Sequence, residues 1–145
     1  MATSIYDRLR AGLCTASAEQ MRAVAGELAA MLPPDSTLAL HGDLGVGKTT
    51  FVQGLAQGLG IRDPVTSPTF NIFTLHRGRT NLVHLDAYRL ETTAQVEDLL
   101  LTDFLESPWC LAVEWPEKIS DWLPANALHL ELRILPDERH TIRLR

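Results

Sequence analysis

Eight consecutive residues have the types and the spacing needed to bind a triphosphate. They read Gly42-Asp43-Leu44-Gly45-Val46-Gly47-Lys48-Thr49 and fit the pattern G-x-x-x-x-G-K-[ST] at each fixed position, and Thr50 follows. The glycines let main-chain N–H groups converge on phosphate oxygens. Lys48 supplies a charge for the β and γ phosphates, and Thr49 a hydroxyl for Mg²⁺. The sequence therefore predicts a nucleotide-binding loop over residues 42–50.

The elements around this loop fit the same interpretation. Residues 37–41 form a short apolar run typical of a buried strand, and residues 49–59 are typical of a helix. The positive end of such a helix faces the phosphates. A glycine-rich turn that merely precedes a lysine is the alternative, and the order of strand, loop and helix argues against it.

Two carboxylates follow apolar strand-like runs further along the chain. Asp86 ends residues 81–86, and Glu114 follows residues 109–113. Ligand groups gather at the carboxyl ends of parallel strands, so both are expected beside the loop. Asp86 is the candidate acid on the metal side, near Thr49. Glu114 is a candidate for orienting water or completing the metal shell, while a strand-end acid without chemistry remains an alternative for both.

Two hydroxyls lie beyond the second predicted helix. Ser67 and Thr69 belong to the run Val65-Thr66-Ser67-Pro68-Thr69-Phe70. In nucleotide switches a hydroxyl at this point of the chain contacts Mg²⁺ or the γ-phosphate. An ordinary Ser-Pro-Thr turn explains the residues equally well.

The other elements predict an α/β domain. A capping box at Ser17 begins a packing helix, another helix starts near Thr93, and hairpins are expected at 71–75 with 81–85 and at 127–135 with 140–145. His84, His129 and His140 lie in strand-like runs without partner spacing, which favours structural roles over metal binding.

Composition limits the class of protein. The chain has 145 residues, 46% of them hydrophobic, so one domain over residues 1–145 is expected. Cys14 and Cys110 are isolated, which favours free thiols in a reducing compartment, and no signal pattern or long apolar run is present. We therefore expect a soluble cytoplasmic protein with no membrane contact. The net charge of −5 argues against direct binding to a nucleic-acid backbone.

Five stretches together resemble the TsaE (YjeE) family, the small ATPases of bacterial tRNA threonylcarbamoyladenosine biosynthesis. They are residues 42–50, Ser67-Pro68-Thr69-Phe70, His84-Leu85-Asp86-Ala87-Tyr88-Arg89-Leu90, Glu114-Trp115-Pro116-Glu117 and Leu123-Pro124. One departure is that residues 99–104 lack a glycine often found there.

The resemblance implies a P-loop fold with a mixed sheet and an ATPase site that uses ATP and Mg²⁺. It implies that Lys48 and Thr49 bind phosphate and Mg²⁺, that Ser67 to Phe70 form a switch, that Asp86 is the metal-side acid, and that Glu114 is catalytic or metal-associated. It also implies that the protein acts together with the TsaD and TsaB proteins. The complex of these proteins modifies adenosine 37 of tRNAs reading ANN codons, so the resemblance implies that this chain meets tRNA only through the complex.

Three other functions share the phosphate loop. A small-molecule kinase needs an acceptor-binding constellation and an arginine-rich lid, and neither is evident between Asp86 and Glu114. A GTPase needs the Asn-Lys-x-Asp and Asp-x-x-Gly patterns, which the sequence lacks, so adenine is preferred. The third function is a scaffold that binds ATP without hydrolysing it, and only the presence of Glu114 argues against it.

Overall fold

A seven-stranded sheet runs through the parts of the chain that the structure describes. The computed structural model describes residues 4–43, 45–65 and 72–145. The strands are β1 (Leu13–Thr15), β2 (Ser36–His41), β3 (Phe73–His76), β4 (Asn81–Asp86), β5 (Trp109–Glu114), β6 (Leu128–Ile134) and β7 (His140–Leu144).

The strand order is β1-β7-β6-β2-β5-β4-β3, and the sheet is mixed. The four central strands β6, β2, β5 and β4 are parallel, while β3, β7 and β1 pair antiparallel at the two sides. The carboxyl ends of β2, β4 and β5 therefore meet at one edge, where ligand groups collect in such sheets.

Four α-helices lie within the described residues. They are α1 (Ile5–Ala11), α2 (Ala18–Met31), α3 (Lys48–Gly58) and α4 (Thr93–Asp98), and short 3₁₀ helices span Leu101–Phe104 and Pro116–Ile119. At the start of α2 the Ser17 hydroxyl accepts from the Gln20 N–H at 3.1 Å. The Gln20 side chain bonds the Ala16 N–H, not that of Ser17, so the predicted capping box is only half formed.

Alternating strand residues divide the core between the two faces of the sheet. On one face Leu38, Leu82 and Ala112 pack with α1, α2 and α3. On the other, Val83 and Val113 pack with α4 and the 3₁₀ helices. The helix that follows the phosphate loop, α3, packs on the first of these faces.

Helices α2 and α3 approach so closely that two positions of α3, Gly54 and Gly58, leave no room for a side chain. A Cβ on Gly54 would lie 2.4 Å from the carbonyl oxygen of Arg22 and 2.7 Å from the Cβ of Ala25. Glycine at this point lets the two backbones touch. The contact fixes α3, and with it Lys48, against the rest of the domain.

The structure confirms the α/β class, the mixed sheet and the hairpin additions. Helix α1 and strand β1 were not predicted, because three strand residues and a seven-residue helix are too short to show a period. The helix predicted to start near Thr93 is confirmed as α4, which ends at Asp98. Leu100 has φ +52°, a backbone conformation that favours glycine.

Candidate functional site

The phosphate loop joins the end of β2 to the start of α3. Gly42 has φ +147°, and a Cβ there would lie 2.5 Å from the Leu132 carbonyl oxygen. Gly47 caps α3 in the left-handed conformation, with φ +98°. The Val46 carbonyl oxygen lies 2.8 Å from Nδ1 of His140, so β7 holds the loop from outside. The glycine spacing thus reflects real steric limits.

Lys48 is almost fully buried although it carries a charge. Its side chain is 5% exposed. Nζ donates to the Gly42 carbonyl oxygen at 2.7 Å and lies 3.7 Å from the centre of the Trp115 ring, a close cation–π contact. Burial lowers the pKa of Lys48, while the carboxylates of the pocket, Glu114 foremost, oppose that shift. The ammonium is held in place by the loop itself.

Asp86 and Glu114 end two neighbouring parallel strands and stand opposite each other in the register. Each follows an apolar strand, as the sequence predicts. One oxygen of Asp86, Oδ1, accepts from the Tyr88 N–H at 3.0 Å, which orients the carboxylate. Glu114 is 5% exposed. Its Oε2 lies 2.5 Å from Nε2 of His84, which is fully buried.

A single pocket of about 330 Å³ collects these groups. Its lining residues are Gly45, Gly47, Lys48, Thr49, Thr50, Asp86, Glu114 and Trp115. Five of the predicted loop residues and both predicted carboxylates therefore line one pocket, although they come from separate elements, whereas Gly42, Asp43 and Val46 line a different one. A larger pocket of about 630 Å³ lies beyond the loop, lined by His41, Glu131 and Arg145 among others, and Lys48 does not reach it.

The donor set of the pocket fits magnesium bound with a triphosphate. Mg²⁺ takes oxygen ligands, keeps several waters, and is held by one or two carboxylates together with substrate phosphates. Thr49 and Asp86 offer a hydroxyl and a carboxylate of this kind. Within residues 4–43, 45–65 and 72–145 no group of three or more His, Cys, Asp or Glu side chains forms an all-protein metal site.

Trp115 and Tyr88 form an aromatic wall that sequence reasoning left without a role. Their ring centres are 5.2 Å apart, and Tyr88 is 53% exposed. Trp115 has φ +57°, a strained conformation for a bulky residue that is found at functional sites. The indole thus covers Lys48 on one side and meets Tyr88 on the other.

Some predicted residues could not be placed, and one contact was missed. Leu44, Ser67 and Thr69 lie outside the described residues, so the switch remains a prediction. Asp43 and Val46 lie in the loop beside the larger pocket. His84 was assigned a structural role, yet it contacts Glu114. The signal was present in the spacing, because His84 and Asp86 are two apart on one strand and so share a face.

Comparison with known proteins agrees with this geometry. The family model described as "Threonylcarbamoyl adenosine biosynthesis protein TsaE" matches residues 15–142. This chain belongs to the TsaE family. The match spans every strand of the sheet except the beginning of β1 and the last residues of β7, and it includes all the pocket residues.

Individual relatives match over most of their length. The tRNA threonylcarbamoyladenosine biosynthesis protein TsaE of Bacillus subtilis is 39% identical over 129 residues, covering 88% of this chain and 80% of the relative. That of Treponema pallidum is 37% identical, covering 77% and 83%. A crystal structure of Bacillus subtilis YdiB superposes with a TM-score of 0.76 at 34% identity, covering 92% of this chain and 82% of that one.

No helix in the described ranges has the length and apolar character needed to cross a bilayer.

Proposed function

We propose that this protein binds ATP with Mg²⁺ and hydrolyses it as a component of tRNA threonylcarbamoyladenosine biosynthesis in the cytoplasm. The single observation that carries the proposal is the pocket in which Lys48, Thr49, Asp86 and Glu114 converge. Membership of the TsaE family supports the pathway. The two free cysteines, Cys14 and Cys110, are consistent with a reducing compartment.

Each residue has a distinct task in this proposal. The loop N–H groups and Lys48 bind the β and γ phosphates, and Thr49 with Asp86 holds the metal side. Magnesium, when bound, would neutralise charge on the phosphate oxygens. Glu114 orients the attacking water and accepts its proton at a carboxylate oxygen. The water oxygen bonds to the γ-phosphorus as the bond from that phosphorus to the bridging oxygen breaks, which gives ADP and inorganic phosphate. Trp115 shields Lys48 from solvent on one side.

We further propose that the hydrolysis serves the transferase complex of TsaD and TsaB, and that tRNA meets this protein only through that complex. The formal charge of −5 disfavours direct binding to the tRNA backbone. The sequence lacks the guanine-reading Asn-Lys-x-Asp pattern, which supports ATP over GTP.

Phosphate release with ATP and with GTP, alone and with TsaD and TsaB, tests the proposal. Release from ATP that rises in the presence of the partners is the expected result. A marked preference for GTP, or transfer to a small-molecule acceptor, contradicts it. Tight ATP binding without release under any condition would favour a non-hydrolysing scaffold.

Glu114→Gln separates hydrolysis from binding. The amide keeps the shape of the side chain but cannot accept the proton, so turnover should fall by ~10²–10⁴-fold while ATP affinity is retained. Glu117→Gln is the matched control, because it makes the same change three residues away in a side chain that is 52% exposed. If Glu114→Gln hydrolysed ATP at the wild-type rate, the proposed catalytic role of Glu114 would be wrong.

A further inference from the structure

His84 is a fully buried imidazole on an interior strand of the sheet. It lies on β4, two residues before Asp86, and none of its surface is exposed. Its neighbours in the register are Thr74 on β3 and Ala112 on β5. A histidine in this setting needs a hydrogen-bond partner, because an unsatisfied buried polar group is costly.

The partner is the candidate catalytic carboxylate. Nε2 of His84 and Oε2 of Glu114 are 2.5 Å apart, within hydrogen-bond distance. An ionised carboxylate can only accept, so Nε2 carries the proton and donates. Nδ1 is buried and has no partner within the described residues. Among the described residues, the N–H at Nε2 is therefore committed to Glu114.

The strands make this contact rigid. β4 and β5 are parallel, with His84 opposite Ala112 and Asp86 opposite Glu114. His84 and Glu114 therefore lie on the same face, displaced by two residues along adjacent strands. Both strands are paired on each side, β4 with β3 and β5, and β5 with β4 and β2, so the backbone positions of His84 and Glu114 are fixed relative to each other.

We propose that His84 is a positioning residue for hydrolysis. By bonding Oε2 it fixes the flexible Glu114 side chain in one rotamer and leaves Oε1 as the oxygen that faces water in the pocket. This inference rests on the proposed function, in which Glu114 orients the attacking water. A displacement of a reacting group by about 1 Å can lower a rate by ~10²-fold, so a fixed carboxylate matters for turnover.

Substitution of His84 tests the role of the donor. In His84→Leu the donor is lost, and kcat for ATP should fall by about 10- to 100-fold. ATP affinity, measured without turnover, should change less than about twofold, because His84 does not line the pocket. In His84→Gln the amide N–H stands near the place of Nε2 and should restore most of kcat.

A purely structural role would give a different pattern. In His84→Asn the amide is too short to reach Glu114, so kcat should fall as it does in His84→Leu. This variant keeps a polar side chain, and it tests the same point if His84→Leu does not fold. In the Glu114→Gln background, His84→Leu should lower kcat no further, since the carboxylate it supports is gone. Equal kcat in the Gln and Asn variants, or a loss confined to ATP affinity, overturns the proposal.

The two proposals fail in different ways. If the wild-type protein, alone and with TsaD and TsaB, releases no phosphate, the proposed function and the role of His84 fall together. If it hydrolyses ATP and Glu114→Gln is slow, but all His84 variants retain wild-type kcat, only the positioning role is wrong. An additive loss in the Glu114→Gln background likewise overturns the positioning role alone.

Discussion

The buried ammonium of Lys48 has partners within the protein and is also the group expected to bind a triphosphate. The ammonium is almost entirely buried, and its hydrogen bond to Gly42 and its contact with Trp115 replace the water it has lost. A triphosphate would offer this charge stronger acceptors than a neutral carbonyl. The loop therefore holds the cation where the phosphates are expected.

Lys48→Ala should weaken ATP binding by at least about tenfold, since hydrogen bonds to charged groups contribute about 1.5–3 kcal/mol. The chain has only one other lysine, Lys118, whose Nζ lies 6.0 Å from the centre of the Tyr88 ring. Lys118→Ala is therefore the matched control and should bind normally. Nucleotide titration measures both, and equal affinity in the two variants would overturn the phosphate-loop assignment.

The two cysteines should differ in reactivity. Burial raises the pKa of the Cys110 thiol to about 12, and Cys14 is exposed. Only a thiolate reacts with alkylating reagents, so Cys14 should be labelled at pH 8 in the native protein and Cys110 only after unfolding. Mass spectrometry of the labelled peptides checks this. Rapid native labelling of Cys110 would show that β5 opens readily.

At the scale of elements, the contact between α2 and α3 sets the position of the site. α3 begins at Lys48, and its Gly54 touches the backbone of α2 at Arg22. The helix that begins at Lys48 is thereby held by a contact about two turns further along.

Gly54→Ala should destabilise the fold by about 1–3 kcal/mol, because the new methyl group meets backbone that cannot move aside. Gly26 on α2 is the matched control. A Cβ there lies 3.6 Å from the Gly54 carbonyl oxygen, an ordinary contact, so Gly26→Ala should be neutral or stabilise the helix by up to about 1 kcal/mol. The urea denaturation midpoints of the two variants measure the difference in stability. Equal midpoints would contradict the close contact between α2 and α3 at Gly54.

At the scale of the molecule, a histidine pair ties the central strands together next to the loop. Nε2 of His41, at the end of β2, lies 2.8 Å from Nδ1 of His129 on β6. Burial lowers the pKa of both imidazoles, and Arg145 adds to the shift. Glu117, 3.9 Å from His41, and Glu131 act in the opposite direction.

The pair makes stability depend on pH. Because the folded protein holds these histidines with a pKa below the ordinary value of 6.5, the unfolded chain takes up protons more readily. Stability from the pair is full above pH 6.5 and is lost as pH falls through the lower pKa values of the folded state. The double variant His41→Gln/His129→Asn keeps polar atoms at the bonded positions but cannot titrate.

Chemical denaturation at pH 7.5 and pH 5.5 should show a larger loss of stability for the wild type than for this double variant. The carboxylates common to both proteins cancel in the comparison. An equal loss in the two proteins would mean that the pair does not control the acid response.

Local patterns were enough to find the loop and both carboxylates. The G-x-x-x-x-G-K-T run is contiguous, so its chemistry can be recognised without a fold, and Asp86 and Glu114 each follow an unbroken apolar strand. The contact of His84 with Glu114 was missed because the two residues are 30 positions apart and belong to different strands. The short α1 and β1 were missed because neither has enough residues to show a period.

The sequence by itself predicted a phosphate-binding loop, and it determined which acids end strands and that the chain forms an α/β sheet. These follow from residue types and from periods of two or about 3.6, which are local properties. Only the tertiary structure decided that Asp86 and Glu114 are opposite each other in the register, that Trp115 covers Lys48, and that His84 contacts Glu114. Those contacts depend on strand order and register, which are set by packing between distant parts of the chain.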